Sequence, residues 1–495
     1  MKKYQLYING EYVDPIGGEW FDSIDPYRGT PWAQMPRATA PDVDRAVAAA
    51  RQAMRDSKWR DMAPTARGKI LRRIGDLVAA QAERLAALEV QDNGKLYTEM
   101  YTQLRYIPEW WYYYAGLADK IEGTVVPVDK PDMLALTTHE PVGVVAAITA
   151  WNSPLLFVAF KCAPAIAAGC SVVIKPSEFA SASTLEFAAI TKEAGLPDGI
   201  FNVVTGFGPE TGSALVSHPD VAKVTFTGSD ATGARIYAQA AQGMKRVSLE
   251  LGGKSPNVVF ADCDMDAAVS GAVSGVFAAT GQTCIAGSRL LVQNSIRDAF
   301  VEKLRAVAAT ARIGDPMLPA TNIGPITTLP QYKKVLDYIE IAKSEGARCI
   351  LGGKAASGEG IIGGQFVEPT IFVDVTNTMR IAREEVFGPV VSVIGFEDEE
   401  DAIRIANDTI YGLAAGVWTK DIGRAIRMSK ALKAGTVWVN TYRAISYLMP
   451  FGGMKHSGLG RENGIAAIKE FLETKAIWIS AATSTPPNPY IMRLT

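Results

Sequence analysis

From about residue 143, apolar runs of strand length alternate with longer segments of helical composition. The predicted strands are Val144–Ile148, Ser171–Ile174, Phe201–Val204 and Val224–Phe226, and the predicted helices are Pro154–Ala168, Ser181–Ala194, Glu210–Val216 and Thr232–Gln242. Repeated units of this length predict an α/β fold with a doubly wound, mostly parallel sheet. Ligands of such sheets bind at the carboxyl ends of the strands.

The remainder of the chain shows other patterns. The pair Asn9-Gly10 between short apolar runs predicts a β-hairpin. Apolar residues at helical spacing between 70 and 78 predict a helix, which we expect to continue to the stop signal Asn93-Gly94. A second α/β segment follows from about 255 to 440, and the proline-rich segment Thr483–Pro489 predicts an extended tail.

Composition and charge exclude several classes of function. The chain has 495 residues, enough for two or three domains, and its net charge of −2 gives no electrostatic basis for binding nucleic acid or an anionic membrane. The uncharged stretches Pro141–Phe160 and Ala267–Ser288 are interrupted by turn-forming or small polar residues, so we expect neither to span a membrane. The N-terminus shows no secretory signal, which predicts a cytoplasmic protein.

The cysteines point to reactivity rather than to a metal. Five cysteines and three histidines show no metal-ligand spacing, so we expect no metal site and a reducing compartment. Cys162 and Cys170 lie in apolar segments, as structural thiols usually do. Cys284 lies among Gly, Gln, Thr and Ser, where a thiol can attack an electrophilic carbon, and Glu250 before Gly252-Gly253 is a candidate base for activating water. Taken alone, Cys284 could be a buried structural thiol and Glu250 a surface carboxylate.

Three further motifs follow predicted strands. Phe226–Gly233 combines glycines with a helix start and suits a phosphate, although its spacing is not G-x-G-x-x-G. Glu178 in Lys175–Glu178 could accept hydrogen bonds from ribose hydroxyls and would repel a 2′-phosphate, which favours NAD over NADP. Asn152 offers a neutral amide donor suited to an oxyanion. Taken singly, the first is as well explained by a plain turn, and a charged loop and a turn-forming Asn explain the other two better.

Together with Glu384–Pro389 and Pro450–Gly458, these motifs resemble, in order and spacing, the NAD(P)-dependent aldehyde dehydrogenase superfamily of the non-acylating type. The resemblance extends from Asn9-Gly10 to Phe471. It implies that Cys284 is the nucleophile, that Glu250 is the general base, and that Asn152 forms the oxyanion hole with the backbone N–H of Cys284. The aldehyde would become a thiohemiacetal and then a thioester on Cys284, which water activated by Glu250 would hydrolyse to the carboxylic acid.

The resemblance also assigns binding residues. The cofactor NAD, with NADP as a possible substitute, would contact Trp151, Lys175, Glu178, Gly208, Gly228, Ser229, Gly233, Glu385 and Phe387, with Gln331 and Lys334 near the adenosine end. The substrate tunnel would be lined by Tyr106, Trp110, Phe157, Phe160, Ile285, Arg443 and Ile445. Ser153 stands where the family often has Phe, which should widen one wall, and Arg443 is a hypothetical attractant for a substrate carboxylate.

The implied architecture has three parts and forms a homodimer or homotetramer. They are an NAD-binding domain over 1–118 and 140–252, a catalytic domain over 253–455, and a small β oligomerisation arm over 119–139 and 470–495. Three alternatives remain: a CoA-acylating dehydrogenase, a thioesterase-like hydrolase that uses the same Cys without cofactor, and a binding protein that retains the fold. The pattern names neither the aldehyde nor the pathway.

Overall fold

The computed structural model describes residues 1–358, 360–483, 488 and 490–492. The strands, in chain order, are β1 Lys2–Lys3, β2 Leu6–Ile8, β3 Glu11–Val13, β4 Trp20–Asp25, β5 Thr30–Pro36, β6 Val125–Val126, β7 Met133–Pro141, β8 Val144–Ile148, β9 Ser171–Lys175, β10 Phe201–Val203, β11 Val221–Thr227, β12 Arg246–Glu250, β13 Pro256–Val259, β14 Arg289–Gln293, β15 Arg348–Leu351, β16 Thr370–Val373, β17 Val390–Phe396, β18 Ala414–Trp418, β19 Thr436–Val439, β20 Gly458–Leu459 and β21 Leu472–Ser480.

The helices alternate with these strands through most of the chain. In chain order they are α1 Ala40–Arg55, α2 Ser57–Arg60, α3 Pro64–Ala80, α4 Ala82–Asn93, α5 Tyr97–Tyr106, α6 Pro108–Leu117, α7 Pro154–Ala168, α8 Ala182–Glu193, α9 Ser213–Ser217, α10 Asp230–Gln242, α11 Met265–Val276, α12 Arg297–Ala308, α13 Leu329–Ser344, α14 Arg380–Arg383, α15 Glu399–Asn407, α16 Ile422–Ala431 and α17 Gly464–Lys469.

The first large sheet confirms the predicted doubly wound α/β fold. Its strand order is β20-β12-β11-β8-β9-β10-β2-β3, and the five strands from β12 to β10 run parallel. From β8 the chain moves outward through β9 and β10 and then returns to β11 on the other side of β8. The strand order therefore reverses between β8 and β11, which is where open α/β sheets bind their ligands.

Helix α7 begins at the end of β8 and anchors that crevice. Pro154 occupies its first turn, and it ends at Gly169, whose φ of 98° lies in the left-handed region that favours glycine. All but one of its residues are buried, as expected for a helix that is apolar on every side. Lys161 is the one charged residue of this helix, and its side chain is buried with the apolar ones.

Two local predictions were wrong. The helix expected to run to Asn93-Gly94 is broken at Gln81 into α3 and α4, although it does end at Gly94 with a φ of 74°. The helix predicted over Glu210–Val216 consists of a π-helical turn, Gly208–Gly212, followed by α9.

The hairpin at Asn9-Gly10 is confirmed, because β2 and β3 pair antiparallel and both turn residues have positive φ.

Three further sheets complete the architecture, one of them three-stranded with the order β1-β5-β4. A seven-stranded sheet of order β15-β16-β17-β14-β13-β18-β19 contains the second α/β segment, and β21, β7 and β6 form a separate three-stranded antiparallel sheet. The exact domain limits stay a prediction. The extended-tail prediction falls largely on residues 484–487 and 489, which lie outside the described residues. Within the described ranges, no helix has the combined length and apolar character of a membrane span.

Candidate active site

A cavity of about 150 Å³ lies where β8, β11 and β12 end and where the loop before β14 approaches them. All three predicted catalytic side chains line it. The predicted residues in its wall are Cys284, Glu250, Asn152, Trp151, Gly228, Ser229, Glu385, Phe387 and Phe157. Residues more than 230 positions apart in the sequence thus meet in one space, as the strand-end motifs require.

The loop that carries Cys284 has an unusual backbone. Ala279, Thr280 and Gly281 all have positive φ, of 56°, 54° and 68°. A Cβ on Gly281 would lie 2.0 Å from the carbonyl oxygen of Gly388, so the loop approaches this segment too closely for any other residue. Thr280 Oγ1, whose local partner the sequence left open, accepts the N–H of Gly324 at 3.1 Å.

The environment of Cys284 disfavours its thiolate. Burial, together with the carboxylates of Glu385 and Glu250, raises the pKa of the thiol to about 12. The backbone N–H groups of Cys284 and Ile285 act in the opposite direction. The thiol is therefore protonated near neutral pH, and attack on an electrophile requires a base.

Asn152 lies beside this loop with its amide buried. Its Nδ2 donates to the carbonyl oxygen of Gln282 at 3.1 Å, which ties the end of β8 to the Cys284 loop. The Gln282 side chain is held in turn, because its Oε1 accepts the N–H of Thr327 at 2.9 Å. This bond uses one of the two Nδ2 protons of Asn152. The other can donate to a developing oxyanion.

Glu250 is a buried carboxylate with an unsatisfied oxygen. It is 5% exposed, and its Oε2 has no hydrogen-bond partner. Burial raises its pKa well above the usual range, and the neighbouring Glu462 adds to the shift, whereas Lys161 and Arg461 lower it. A carboxylate with a raised pKa is suited to general base catalysis near neutral pH.

The Gly252-Gly253 pair after Glu250 allows close packing behind the site. A Cβ on Gly252 would lie 2.5 Å from Glu385 Oε2, and one on Gly253 would lie 2.8 Å from the carbonyl oxygen of Cys284. Glu385 Oε1 accepts the N–H of Gly253 at 3.0 Å. The two glycines thus let Glu385 and the Cys284 loop come close to the segment that follows β12.

Aromatic and polar side chains form another part of the cavity wall. Trp151 and Phe387 make an edge-to-face contact, with their ring centroids 5.4 Å apart, and Phe387 has a φ of 57°. Gln331 Nε2 donates to the carbonyl oxygens of Val386 and Phe387 at 2.7 and 3.0 Å. Gln331 and Lys334 therefore lie in the same cavity as Glu385 and Phe387.

Lys175 and Glu178 lie together at the end of the neighbouring strand β9. Lys175 Nζ donates to Glu178 Oε2 at 3.5 Å and to the carbonyl oxygen of Pro176 at 3.0 Å. Burial lowers the pKa of Lys175, which indicates an ammonium that would gain from a further polar partner. A Cβ on Gly212, in the turn that the predicted Gly208 begins, would lie 3.6 Å from Cδ of this lysine.

The β11–α10 junction contains the predicted phosphate motif. Ser229 is the N-cap of α10, and its Oγ accepts the N–H of Thr232 at 3.3 Å. Gly228 donates its N–H to the carbonyl oxygen of Glu250 at 3.1 Å. Gly233 is different, because it does not line the cavity: a Cβ there would lie 2.5 Å from Leu251, so this glycine allows helix and strand to pack.

Four of the predicted tunnel residues form an aromatic wall that reaches the cavity at Phe157. Trp110 contacts Tyr106 and Phe160, with ring centroids 5.0 and 5.2 Å apart, and Phe157 contacts Phe160. Ile285 is buried beside Cys284, and Ile445 is half-buried.

Arg443 is held on the loop that carries Ile445. It has a φ of 64°, and its Nη1 donates to the carbonyl oxygen of Ser274 at 3.1 Å.

Sequence reasoning missed four residues of this region. Lys161 and Glu462 form a buried ion pair beside Glu250, and Tyr447 and Phe451 extend the aromatic wall. Lys161 could have been found, because it is the single charge in an otherwise apolar helix. Within the part of the chain that the structure describes, no group of three or more His, Cys, Asp or Glu side chains is arranged to hold a metal ion.

Residues 12–477 match the sequence profile of the aldehyde dehydrogenase family. The chain is 48% identical over its full length to (Z)-2-((N-methylformamido)methylene)-5-hydroxybutyrolactone dehydrogenase of Acinetobacter baylyi, with 100% of both chains covered. It is 46% identical to an aldehyde dehydrogenase of Aspergillus niger over 95% of this chain and 94% of that protein.

Solved structures agree with this match. The betaine aldehyde dehydrogenase of Staphylococcus aureus in complex with NAD+ superposes with a TM-score of 0.96 at 40% identity, covering 98% of this chain and 96% of that chain. An aldehyde dehydrogenase mutant from Bacillus cereus gives a TM-score of 0.95 at 42% identity, covering 97% of both chains.

Proposed function

The chain belongs to the aldehyde dehydrogenase family, and we propose that it oxidises an aldehyde to the carboxylic acid with NAD+ through a thioester on Cys284. The observation that carries this proposal is the meeting of Cys284, Glu250 and Asn152 in one cavity at the switch point of the sheet. A nucleophile, a base and an oxyanion donor are the groups that acyl chemistry at an aldehyde carbon requires.

The thiol of Cys284 gives up its proton to Glu250 or to water as it attacks, because its pKa is too high for the thiol to ionise unaided. The thiolate adds to the aldehyde carbon, and the oxyanion of the thiohemiacetal accepts hydrogen bonds from Asn152 Nδ2 and the backbone N–H of Cys284. Bound NAD+ supplies the acceptor for the hydride that leaves this carbon. Glu250 then accepts a proton from the water that hydrolyses the thioester.

The residues present fit a nicotinamide dinucleotide. Glu385 and Phe387 lie at the reacting end of the cavity, and the buried Lys175 beside Glu178 lies one strand away, at β9. Polar groups at successive strand ends can hold the two halves of a dinucleotide. Glu178 would accept hydrogen bonds from the ribose hydroxyls and disfavour a 2′-phosphate, hence our preference for NAD+ over NADP+.

We expect Asn152→Ala to lower kcat by about 10²- to 10³-fold, because it removes a donor to an oxyanion that exists only after attack. The change in KM should be much smaller. Steady-state NADH formation measures both constants. Asn294→Ala, at an exposed position directly after β14 of the other large sheet, is the matched control. A loss confined to KM would contradict the assigned role.

The pH dependence of turnover should reflect the raised pKa of Glu250. The base form exists above that pKa, so kcat should rise with pH through it. Glu462→Gln removes a carboxylate that raises this pKa and leaves the Lys161 ammonium, which lowers it. The acid limb of the kcat profile should therefore move to lower pH. Glu473→Gln, in a surface ion pair, is the control; an unmoved limb would contradict this account.

The alternatives predict different products. A CoA-acylating enzyme would release acyl-CoA instead of the acid, and a thioesterase-like hydrolase would cleave esters without NAD+. The presence of Glu250 beside Cys284 favours water as the acyl acceptor. A binding protein that retains only the fold would have no need of the three catalytic side chains.

The test is NADH formation with a panel of aldehydes and each cofactor, for the wild type and Cys284→Ala. The panel should span short aliphatic, long aliphatic, aromatic, cationic and carboxylate-bearing aldehydes. It should include a 5-hydroxybutyrolactone, because the Acinetobacter baylyi relative is named for such a compound. The proposal requires Cys284-dependent NADH formation with release of the carboxylic acid, and it fails if no compound is oxidised.

We further propose that the protein is a cytoplasmic homo-oligomer joined through the predicted arm. The sheet formed by β21, β7 and β6 exposes Trp478, Ile479, Leu134 and Val125, which a partner strand could cover. Sedimentation equilibrium would test this, and a monomer at micromolar concentration would contradict it.

A further inference from the structure

Helix α7 takes the cap of its first turn from another helix. Ser153 is the N-cap residue, but its hydroxyl donates to the carbonyl oxygen of Asn152 at 2.7 Å and caps no N–H of the helix. Glu89 of α4 caps it instead, because its Oε1 accepts the N–H of Leu155 at 2.8 Å. Asn152 directly precedes this turn in the chain, so Glu89 holds the backbone next to the oxyanion donor.

The carboxyl group of Glu89 is buried at a cost in free energy. The residue is 0% exposed, its Oε1 also accepts the hydroxyl of Ser183 at 3.1 Å, and its Oε2 has no hydrogen-bond partner among the described residues. Burial raises the pKa of this carboxyl group to about 7. A serine hydroxyl at the N-cap would cap α7 without burying a half-satisfied acid. The arrangement therefore points to a role for Glu89 beyond the stability of the helix.

A second carboxylate, on the next helix, holds the other half of the predicted oxyanion hole. Glu99 lies in the first turn of α5, and its Oε1 accepts the N–H of Ala279 at 2.7 Å. Ala279 has a φ of 56° and begins the run of three positive-φ residues that leads toward Cys284. A residue other than glycine keeps such a backbone only where its surroundings hold it. Glu99 therefore fixes the loop that presents the backbone N–H of Cys284.

Both carboxylates belong to one tightly packed connection, residues 89–99, which we call the α4–α5 elbow. It turns at Gly94, which has a φ of 74° and where a Cβ would lie 2.8 Å from both Pro26 and Pro325. The next residue, Lys95, is only 6% exposed. The turn thus lies inside the protein, where packing on both sides limits its movement.

A further chain of hydrogen bonds joins the elbow to Asn152. The carbonyl oxygen of Asn93 accepts the hydroxyl of Thr327, and the N–H of Thr327 donates to Gln282 Oε1 at 2.9 Å. The backbone carbonyl oxygen of Gln282 accepts Asn152 Nδ2 at 3.1 Å. The elbow is therefore linked to Asn152 both through α7 and through the Cys284 loop.

We propose that the α4–α5 elbow positions the oxyanion hole, with Glu89 holding Asn152 through the first turn of α7 and Glu99 holding the backbone N–H of Cys284 through Ala279. This inference rests on the proposed function, because it assigns the support of the same site. Both carboxylates act through other groups and are positioning residues. Their removal should weaken the stabilisation of the transition state without weakening the binding of the aldehyde.

Glu89→Leu should lower kcat by about 10- to 100-fold and change KM by less than about threefold, because small displacements of a catalytic group are sufficient for such losses. Glu89→Gln keeps an oxygen that can accept both hydrogen bonds, so it should restore most of kcat. Glu83→Leu, at an exposed position of α4, is the matched control. Steady-state NADH formation measures both constants. An unchanged kcat, or a change in KM alone, would overturn the inference while the proposed function stands; a wild type that oxidises no aldehyde would refute the proposed function itself.

A double variant separates positioning from a purely structural role. If Glu89 acts through Asn152, Glu89→Leu should lower kcat by no more than about threefold when Asn152→Ala is already present. A structural role would lower kcat by the same factor with or without Asn152, and that result would overturn the assignment.

Glu99→Ala tests the other half of the elbow, and it decides the proposal if Glu89→Leu does not fold, because Glu99 is only half-buried. It should lower kcat by about tenfold or more with little change in KM, since it releases the loop of the second donor. That loss should persist in the presence of Asn152→Ala, because the two donors are different groups. Wild-type kcat in Glu99→Ala would overturn the proposal.

Discussion

Cys284→Ala should abolish NADH formation with every aldehyde, a loss of about 10⁴-fold or more, because no other side chain in the cavity can form the thioester. The substitution removes one sulfur atom from a loop whose shape depends on Gly281 and on the bonds of Gln282. We therefore expect the variant to fold and to retain NAD+ binding, measured by fluorescence quenching or calorimetry.

A matched cysteine control distinguishes the loss of the nucleophile from a general effect of removing a thiol. Cys349 is half-buried in β15 of the second sheet, and its sulfur donates only to the carbonyl oxygen of Leu351. Cys349→Ala should retain wild-type turnover. Substantial NADH formation by Cys284→Ala would place the nucleophile elsewhere and remove the basis of the mechanism.

Glu250→Gln should convert steady turnover into a burst of about one NADH per active subunit followed by turnover about 10²- to 10⁴-fold slower than wild type. The amide cannot accept a proton from water, so the thioester should persist. Gln is nearly isosteric with Glu, and Glu250 Oε2 has no hydrogen-bond partner to lose. Stopped-flow absorbance with excess aldehyde and NAD+ measures the burst and the following rate separately.

The burst also distinguishes the two proton transfers assigned to Glu250. If its main task were to remove the thiol proton of Cys284, whose pKa is about 12, acylation would slow as well and no burst would form. A burst followed by slow turnover assigns it chiefly to hydrolysis. Unchanged steady-state turnover would exclude both tasks. Glu473→Gln serves again as the surface control.

The strand ends explain why much of the site could be predicted from the sequence. Asn152, Gly228 and Glu250 each lie at or just after the end of a strand, and parallel strands bring such positions to one edge. The pair formed by Lys161 and Glu462 could not be predicted in this way, because its members are 301 residues apart and meet only through tertiary packing.

Two other features of the structure could not be predicted from the sequence either. The break at Gln81 has no glycine or proline to mark it, so the periodic pattern seemed continuous across α3 and α4. Lys95 follows a helix stop signal and looks like an ordinary surface lysine in the sequence. Its burial depends on the packing around Gly94, where a Cβ would lie 2.8 Å from Pro26 and Pro325.

The central claim is that an acyl group is held by Cys284 after hydride transfer, and intact-protein mass spectrometry of Glu250→Gln tests it most directly. With a good aldehyde and NAD+, the mass should increase by that of the aldehyde minus two hydrogen atoms, and peptide mapping should place the adduct on Cys284. The double variant with Cys284→Ala should show no adduct. An adduct with the full mass of the aldehyde, an adduct on another residue, or none during NADH formation would contradict the account.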